Sequence, residues 1–147
     1  MPVMTSLIVK RNSGNENLGG ISSSQSSGGD IGQLIGTLFL SREIAHREHL
    51  KTRSFADHMA LDAFYNGIVE IADSITEAYQ GRNGIIDIPF VPNNYSGATI
   101  EMIQSLLDEV ENMRYDAVDQ GDTAIQNLID EAVALFLSTL YKLKNLK

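Results

Sequence analysis

The sequence predicts an all-α protein, a four-helix bundle with a long crossover between its second and third helices. Three observations lead there. Apolar residues recur at intervals of three and four in four separate windows, the mark of helices that each bury one face. Short turn signals separate the first window from the second and the third from the fourth. Between those pairs lies RNGIIDIPFVPNNYSG, whose Pro89 and Pro92 rule out a continuous helix. Antiparallel neighbours need only short turns, whereas a connector of this length lets helices two and three run in the same direction.

In chain order, residues 1–29 stand apart. A short β-prone run, Val3 to Val9, is followed by RNSGNENLGGISSSQSSGGD, whose Ser, Gly and Asn offer little to bury and read as a flexible arm. The bundle is expected over residues 30–147, a single domain. Asp30 can cap the first helix, where Ile31, Leu34, Ile35 and Leu38 begin an apolar face that runs to about Leu50. Lys51 to Arg53 form the turn. Ser54, with Asp57 three residues on, is a capping pair for the second helix, and Phe55 anchors its first turn. That helix buries Leu61, Phe64, Ile68, Ile71, Ile75 and Ala78 and stops near Gln80, at Gly81. In the connector, Ile85, Ile86, Ile88 and Phe90 are candidates for packing over the bundle or between subunits. Ser96 or Thr99 starts helix three, with Ile100, Ile103, Leu106, Leu107 and Val110 inward. Asp122 caps helix four, where Ile125, Leu128, Ile129, Ala132, Phe136 and Leu140 face the core, and the terminal lysines suit the C-terminal end of its dipole.

Composition narrows the function classes. There is no cysteine, so disulfides and thiolate metal sites are excluded. The apolar runs are too short to span a bilayer and the N-terminus lacks the basic-then-apolar order of a secretory signal, so a cytoplasmic protein is expected. A net charge of −8 argues against DNA binding, which rests largely on Lys and Arg neutralising phosphates. An acidic surface instead attracts cations.

All three histidines, His46, His49 and His58, precede Asp62, Asp73 and Glu77 in one stretch, HREHLKTRSFADHMALDAFYNGIVEIADSITE. His58 and Asp62 are four apart, as are Asp73 and Glu77, and the step from Asp62 to Asp73 is about three full turns plus 20°. These four therefore share one helix face. Asp62 and Asp73 are nevertheless about 16 Å apart along the axis, out of reach of one ion whose ligand bonds are about 2 Å. A second copy of the helix, packed antiparallel about a two-fold axis, would bring His58 and Asp62 of one chain opposite Asp73 and Glu77 of the other. Gly67, midway along, is expected at the crossing, where a missing side chain lets two backbones approach.

His46, His58, Asp62, Asp73 and Glu77 follow the pattern His-x11-His-x3-Asp-x10-Asp-x3-Glu. This resembles the ferroxidase signature of the Dps family, the mini-ferritins that oxidise and store iron in hollow twelve-subunit shells. The resemblance covers about Asp30 to Lys147, including DQGDTAIQNLIDEAVALFLSTLYKL, which looks like the family's turn and last helix. It implies a ferritin-like bundle, two-fold dimers within a dodecamer, and a catalytic metal site of those five residues shared between subunits. Asp62 and Glu77 would be the stronger iron ligands, His46 and His58 would support them, and Asp73 would complete the site. Peroxide or dioxygen would be the oxidant and protection against peroxide the outcome. Where the family carries a tryptophan after its first histidine, this chain has Arg47, a cation that must turn away or pair with Glu43 or Glu48. Tyr65 and Tyr79 remain as oxidisable groups in a chain without Trp, and His49, additional to the motif, reads as a surface residue.

The nitrogen and oxygen ligand set suits Fe(II), Mn(II) or Zn(II), and carboxylates favour iron oxidation because hard anionic oxygens stabilise Fe(III). The alternative function is a catalytically silent ferritin-like structural or interaction protein, virion-associated, that docks through its N-terminal arm. A di-iron site inside one bundle needs two Glu-x-x-His pairs. Glu43 and His46 supply one, and helices three and four contain no histidine to supply another.

Overall fold

A computed structural model describes residues 19–147, with side chains from Asp30 onward. The expected arm over residues 1–18, Val3 to Val9 included, lies outside the described residues. Four helices follow one another: α1 (Gly19–Lys51), α2 (Phe55–Asn83), α3 (Thr99–Ala117) and α4 (Thr123–Asn145). Among the described residues there is no strand, and no helix is long and apolar enough to cross a membrane.

Each helix touches two others. α1 packs on α2 and α3, and α4 packs on α2 and α3, so that α1 lies diagonally across from α4 and α2 from α3. The core runs down the centre through Leu34, Leu38, Leu61, Ile68, Ile103, Leu107 and Ile129, with Phe64 of α2 meeting Phe136 of α4 edge to face at 4.8 Å. The periodic residues named from sequence are inside, except that Ile71, Ile100 and Leu128 are only partly buried and Ala78 is exposed.

The connector accounts for the topology. Asp87 lies against Gly32 of α1, where a Cβ would strike the Asp87 carbonyl oxygen, and at Gly36 a Cβ would sit 2.8 Å from the Pro89 carbonyl oxygen and 2.7 Å from Val91 Cγ2. Further along, Asn93 and Tyr95 border Arg47 and Glu48, and Thr99 Oγ1 donates to Glu48 Oε2 at 3.4 Å. The chain thus travels along α1 from Gly32 to Glu48, about 24 Å of helix. The eight steps from Asp87 to Tyr95 reach that distance only when nearly extended, at about 3.3 Å each. Pro89 and Pro92 favour that extended path, both in themselves and in the residues before them. α3 therefore starts beside the C-terminal end of α1 and runs parallel to α2. At the other end, Arg82 of α2 pairs with Asp122 at the start of α4, Nε to Oδ2 2.8 Å, which sets α4 antiparallel to α2. All packed neighbours are antiparallel.

Two boundaries and two caps differ from expectation. α1 begins by Gly19, so Asp30 sits within it instead of capping it; extending an existing helix adds a hydrogen bond per residue without a new nucleation cost, which outweighs the modest propensity of Ser. α2 continues through Gly81 and ends at Gly84, whose φ of 91° is the conformation that favours glycine and whose N–H reaches the Gln80 carbonyl. α3 starts at Thr99, one of the two expected starts, with Ala98 in the N-cap position and its N–H met at 3.4 Å by the Glu101 carboxylate. Asp122 holds the N-cap position of α4, but its side chain is spent on Arg82 and does not cap. Ser54 does cap α2, accepting from Asp57 N–H at 3.1 Å. Phe55 beside it is exposed, so it anchors nothing within the chain. In the connector, Ile86 and Ile88 pack on the core while Ile85 and Phe90 face outward.

The α3–α4 turn is held by a group that the sequence reading passed over. Arg114 is buried on the apolar face of α3; its Nε donates to Gln126 Oε1 at 2.9 Å, and its Nη2 reaches the Gln126 carbonyl at 3.0 Å and Asp130 Oδ1 at 2.6 Å. Gln126 in turn donates to the Val118 carbonyl at 2.9 Å. The signal was present, since Arg114 continues the run Ile103, Leu107, Val110 at helical spacing.

The two kinds of helical glycine should respond oppositely to substitution. Gly36→Val wedges the connector off α1 and is expected to lower stability in urea unfolding by about 2 kcal/mol, a typical overpacking cost. Gly81→Ala, where a Cβ meets nothing within 4 Å, is expected to raise it by about 0.5–1 kcal/mol.

Candidate metal centre at the α1–α2 corner

Only three residues, Thr52 to Ser54, link α1 to α2, so the last turn of one helix faces the first turn of the next. This brings the three histidines together. His49 and His58 stack with ring centroids 3.7 Å apart and planes 25° apart. Each also binds the other's backbone: His49 Nδ1 donates to the His58 carbonyl at 2.8 Å, and His58 Nδ1 donates to the His49 carbonyl at 3.0 Å. A carbonyl only accepts, so both rings carry a proton on Nδ1, and it is in the neutral imidazole that the Nε2 lone pair is available. The His49 carbonyl belongs to the last turn of α1, which has no partner within its own helix, so His58 satisfies an end of α1 as well as orienting itself.

His49 is therefore not the surface residue expected from sequence. It is 8% exposed and acts as the clamp of the corner. For His58 the arrangement resembles that of many metal-ligating histidines, whose second nitrogen is held by a backbone carbonyl. His46, one turn before His49, is half-buried and lies flat on the Tyr65 ring, centroids 4.2 Å apart and planes 21° apart. Tyr65 meets His49 edge-on at 5.3 Å and donates its hydroxyl to Asp62 Oδ1 at 2.9 Å. The hydrogen bond to Asp62 is the main reason the Tyr65 phenol is raised above its ordinary value, with burial and the Asp62 charge adding to it.

His46, His58 and Asp62 thus gather around Tyr65 and His49. Asp73 and Glu77 lie on the same side of α2 but further along it, both exposed. Among the described residues, no three His, Asp or Glu side chains stand close enough together to hold a metal ion. The five motif residues are not brought into one cluster by one chain.

Gly67 needs correction. Nine residues separate it from His58, about two and a half turns, so it lies on the opposite side of α2 from the ligand stripe. A Cβ there would meet Leu135 Cδ2 of α4 at 3.1 Å, so the missing side chain makes room inside the bundle, not between chains. The middle of the stripe is instead Tyr65, Asn66 and Val69. Beside it opens a mostly apolar groove of about 680 Å³, between α1, α2 and the connector, lined by Phe39, Val69, Ile88 and Phe90 with Asp73 at its edge.

Arg47 turns away from the histidines and pairs with Glu43 one turn back, Nη2 to Oε1 3.1 Å, while Glu48 pairs with Lys51. Of the two tyrosines named as oxidisable, only Tyr65 is at this corner. Tyr79 lines a separate hollow at the far end of α2 with Arg82 and Asp116.

The reciprocal histidine clamp predicts graded losses. His49→Phe keeps an aromatic ring against His58 but loses the donor, and should cost about 1 kcal/mol; His49→Ala loses the packing too and should cost about 2–3 kcal/mol. Urea unfolding of the two variants beside the wild type measures both, and equal stability of all three would show that the pair holds nothing.

Similar proteins enter against this geometry. A chain of Enterobacteria phage T4, described as an uncharacterized 14.6 kDa protein in the mobD-ri intergenic region, is 29% identical over 113 residues, which are 76% of this chain and 85% of that one. No solved structure matches. Residues 49–143, from the clamp histidine to the last turn of α4, match the family of unknown function DUF5856, and the chain belongs to that family.

Proposed function

We propose that this chain is a ferritin-like protein that binds Fe(II) at a site shared by two copies, oxidises it with peroxide or dioxygen, and stores the product in a hollow assembly of the Dps type. The observation that carries the reading is the α2 stripe: His58, Asp62, Asp73 and Glu77 occupy one side of a single helix, His46 stands at one end, and the two halves are too far apart for one ion. Antiparallel packing of two such stripes would supply His46, His58 and Asp62 from one chain and Asp73 and Glu77 from the other. The crossover topology with all neighbours antiparallel agrees with a ferritin-like bundle.

In this reading iron is the substrate. The carboxylates neutralise its charge and favour Fe(III), the oxidant takes the electrons, and the protein supplies position. The His49 carbonyl orients His58, whose Nε2 is free to bind in the neutral ring. Arg47, beside His46 in sequence, is paired with Glu43. Mn(II) and Zn(II) fit the same donors.

A second reading is a catalytically silent ferritin-like protein that serves in an assembly, virion-associated. Two observations favour it: Arg47 stands where the resembled family has tryptophan, and the relative with 29% identity is a phage chain. Anaerobic Fe(II) titration followed by peroxide, with native mass measured alongside, separates the two. The first reading expects stoichiometric binding, oxidation, and a mass near twelve chains of 16.1 kDa.

A complementation test addresses sharing. Asp62→Ala and Glu77→Ala should each be inactive alone. In a heterodimer of the two, one site receives both defects and the other keeps all five ligands, so iron oxidation should return to about half of wild type. No recovery in verified heterodimers, or full activity of Asp62→Ala alone, would favour the silent reading.

A further inference from the structure

Tyr65 lies outside the five-residue pattern yet touches more of the corner than any residue within it. Its hydroxyl donates to Asp62 Oδ1 at 2.9 Å, its face lies on His46 at 4.2 Å, and its edge meets His49. From these contacts we infer that Tyr65 is a positioning residue of the metal centre, holding Asp62 of α2 and His46 of α1 in register before a metal arrives. The inference rests on the metal-binding reading above.

The two groups it joins come from different helices. Asp62 and His46 have no contact of their own to fix their relation, and a carboxylate rotates freely about its last torsion, where preferences are broad. A donor on one oxygen removes that freedom. It does not consume the ligand, because a carboxylate has about four lone-pair sites and Oδ2 remains open. Asn66 donates to the Asp62 backbone carbonyl and not to the carboxylate. The phenol is thus the side-chain partner of Asp62.

An ordinary helix-surface pair at this spacing would also give a tyrosine-to-aspartate hydrogen bond. What sets Tyr65 apart is that its ring is fixed by α1 through His46 and His49, so the direction of its hydroxyl is set by the corner as a whole. Partners of metal ligands placed in this way typically change affinity by about 10–100-fold when removed.

Tyr65→Phe is the test, since it keeps the ring on His46 and removes only the hydroxyl. The full chain is titrated anaerobically with Co(II), a stand-in for Fe(II) that does not oxidise under these conditions. Calorimetry gives affinity, visible absorption reports the coordination of the bound ion, and the ultraviolet difference spectrum reports tyrosine, unobscured because the chain has no Trp. Tyr65→Phe should bind Co(II) at least about tenfold more weakly than wild type at unchanged stoichiometry. Its visible spectrum should be altered, and Tyr79→Phe should match wild type throughout. Binding to wild type should perturb a tyrosine signal that Tyr65→Phe lacks. If wild type binds and Tyr65→Phe matches it in affinity and spectrum, the inference is wrong and the metal reading stands. If wild type binds no Co(II), the metal reading itself fails and takes the inference with it. The wild-type difference spectrum needs no variant: binding that leaves every tyrosine unperturbed also overturns the role of Tyr65.

Discussion

The close approach of residues 87–91 to α1 is the contact on which the rest of the molecule depends. Gly32 and Gly36, one turn apart, clear a strip on α1 into which the extended connector sinks until carbonyl oxygens occupy the space of the missing side chains. That seat makes the connector travel the length of the bundle instead of doubling back. Helices α2 and α3 therefore become parallel diagonals, and every packed pair is antiparallel. It also leaves one side of α2 without a helical neighbour, so the stripe from His58 to Glu77 faces outward beside an apolar groove. Had the connector formed a tight turn, α3 would have packed on α2 as its antiparallel neighbour.

Much of this was legible in the sequence, because helix periodicity and proline placement act locally. Leu61, Phe64 and Ile68 fall inside as their spacing requires, and Pro89 and Pro92 mark a segment that cannot coil. What was illegible depends on contacts across the chain. Gly81 and Gly84 are alike as letters, and only the left-handed backbone at Gly84 makes it the stop. Gly32 and Gly36 passed as ordinary helix residues because their reason lies fifty-odd positions away. His49 looked like a surplus surface histidine, since nothing in its own helix shows that His58 will stack on it. Gly67 is a different case. Its rotation relative to His58 follows from helix geometry, whereas a place at the two-fold crossing follows from its axial position alone. Arg114 too was readable, as a cation on an apolar stripe.

For the candidate site, the sequence carried the ligand types and spacing, and the structure adds the surroundings. Its polar groups are already engaged: Asp62 with Tyr65, His58 with the His49 carbonyl, Arg47 with Glu43. The first two leave a ligating atom open, Oδ2 of Asp62 and, in the neutral ring, Nε2 of His58. That pattern agrees with outer partners holding ligands in place, and it serves equally to hold the α1–α2 corner in a protein that binds nothing. The ring stacks and the paired carbonyl bonds stabilise the turn whichever function they serve, so stability alone does not separate the readings. Ligand geometry under metal does.

The acidic character of the stripe adds a constraint on assembly. On the proposed pairing, Asp62 of one chain approaches Asp73 and Glu77 of another, and two such carboxylates about 4 Å apart repel by about 4 kcal/mol at a surface-like effective dielectric of 20. Screening by salt reduces this only in part for groups drawn into an interface. Without a cation, the charges therefore oppose the contact that completes the site. With one, the repulsion becomes ligation. Metal binding and chain pairing are then thermodynamically linked, each strengthening the other by the same factor. In that pairing the apolar neighbours of the stripe, Val69 and the exposed Phe90, would supply an attraction that does not depend on metal. On the proposed reading, the balance between that attraction and the carboxylate repulsion would decide whether two chains meet before the ion arrives or because of it.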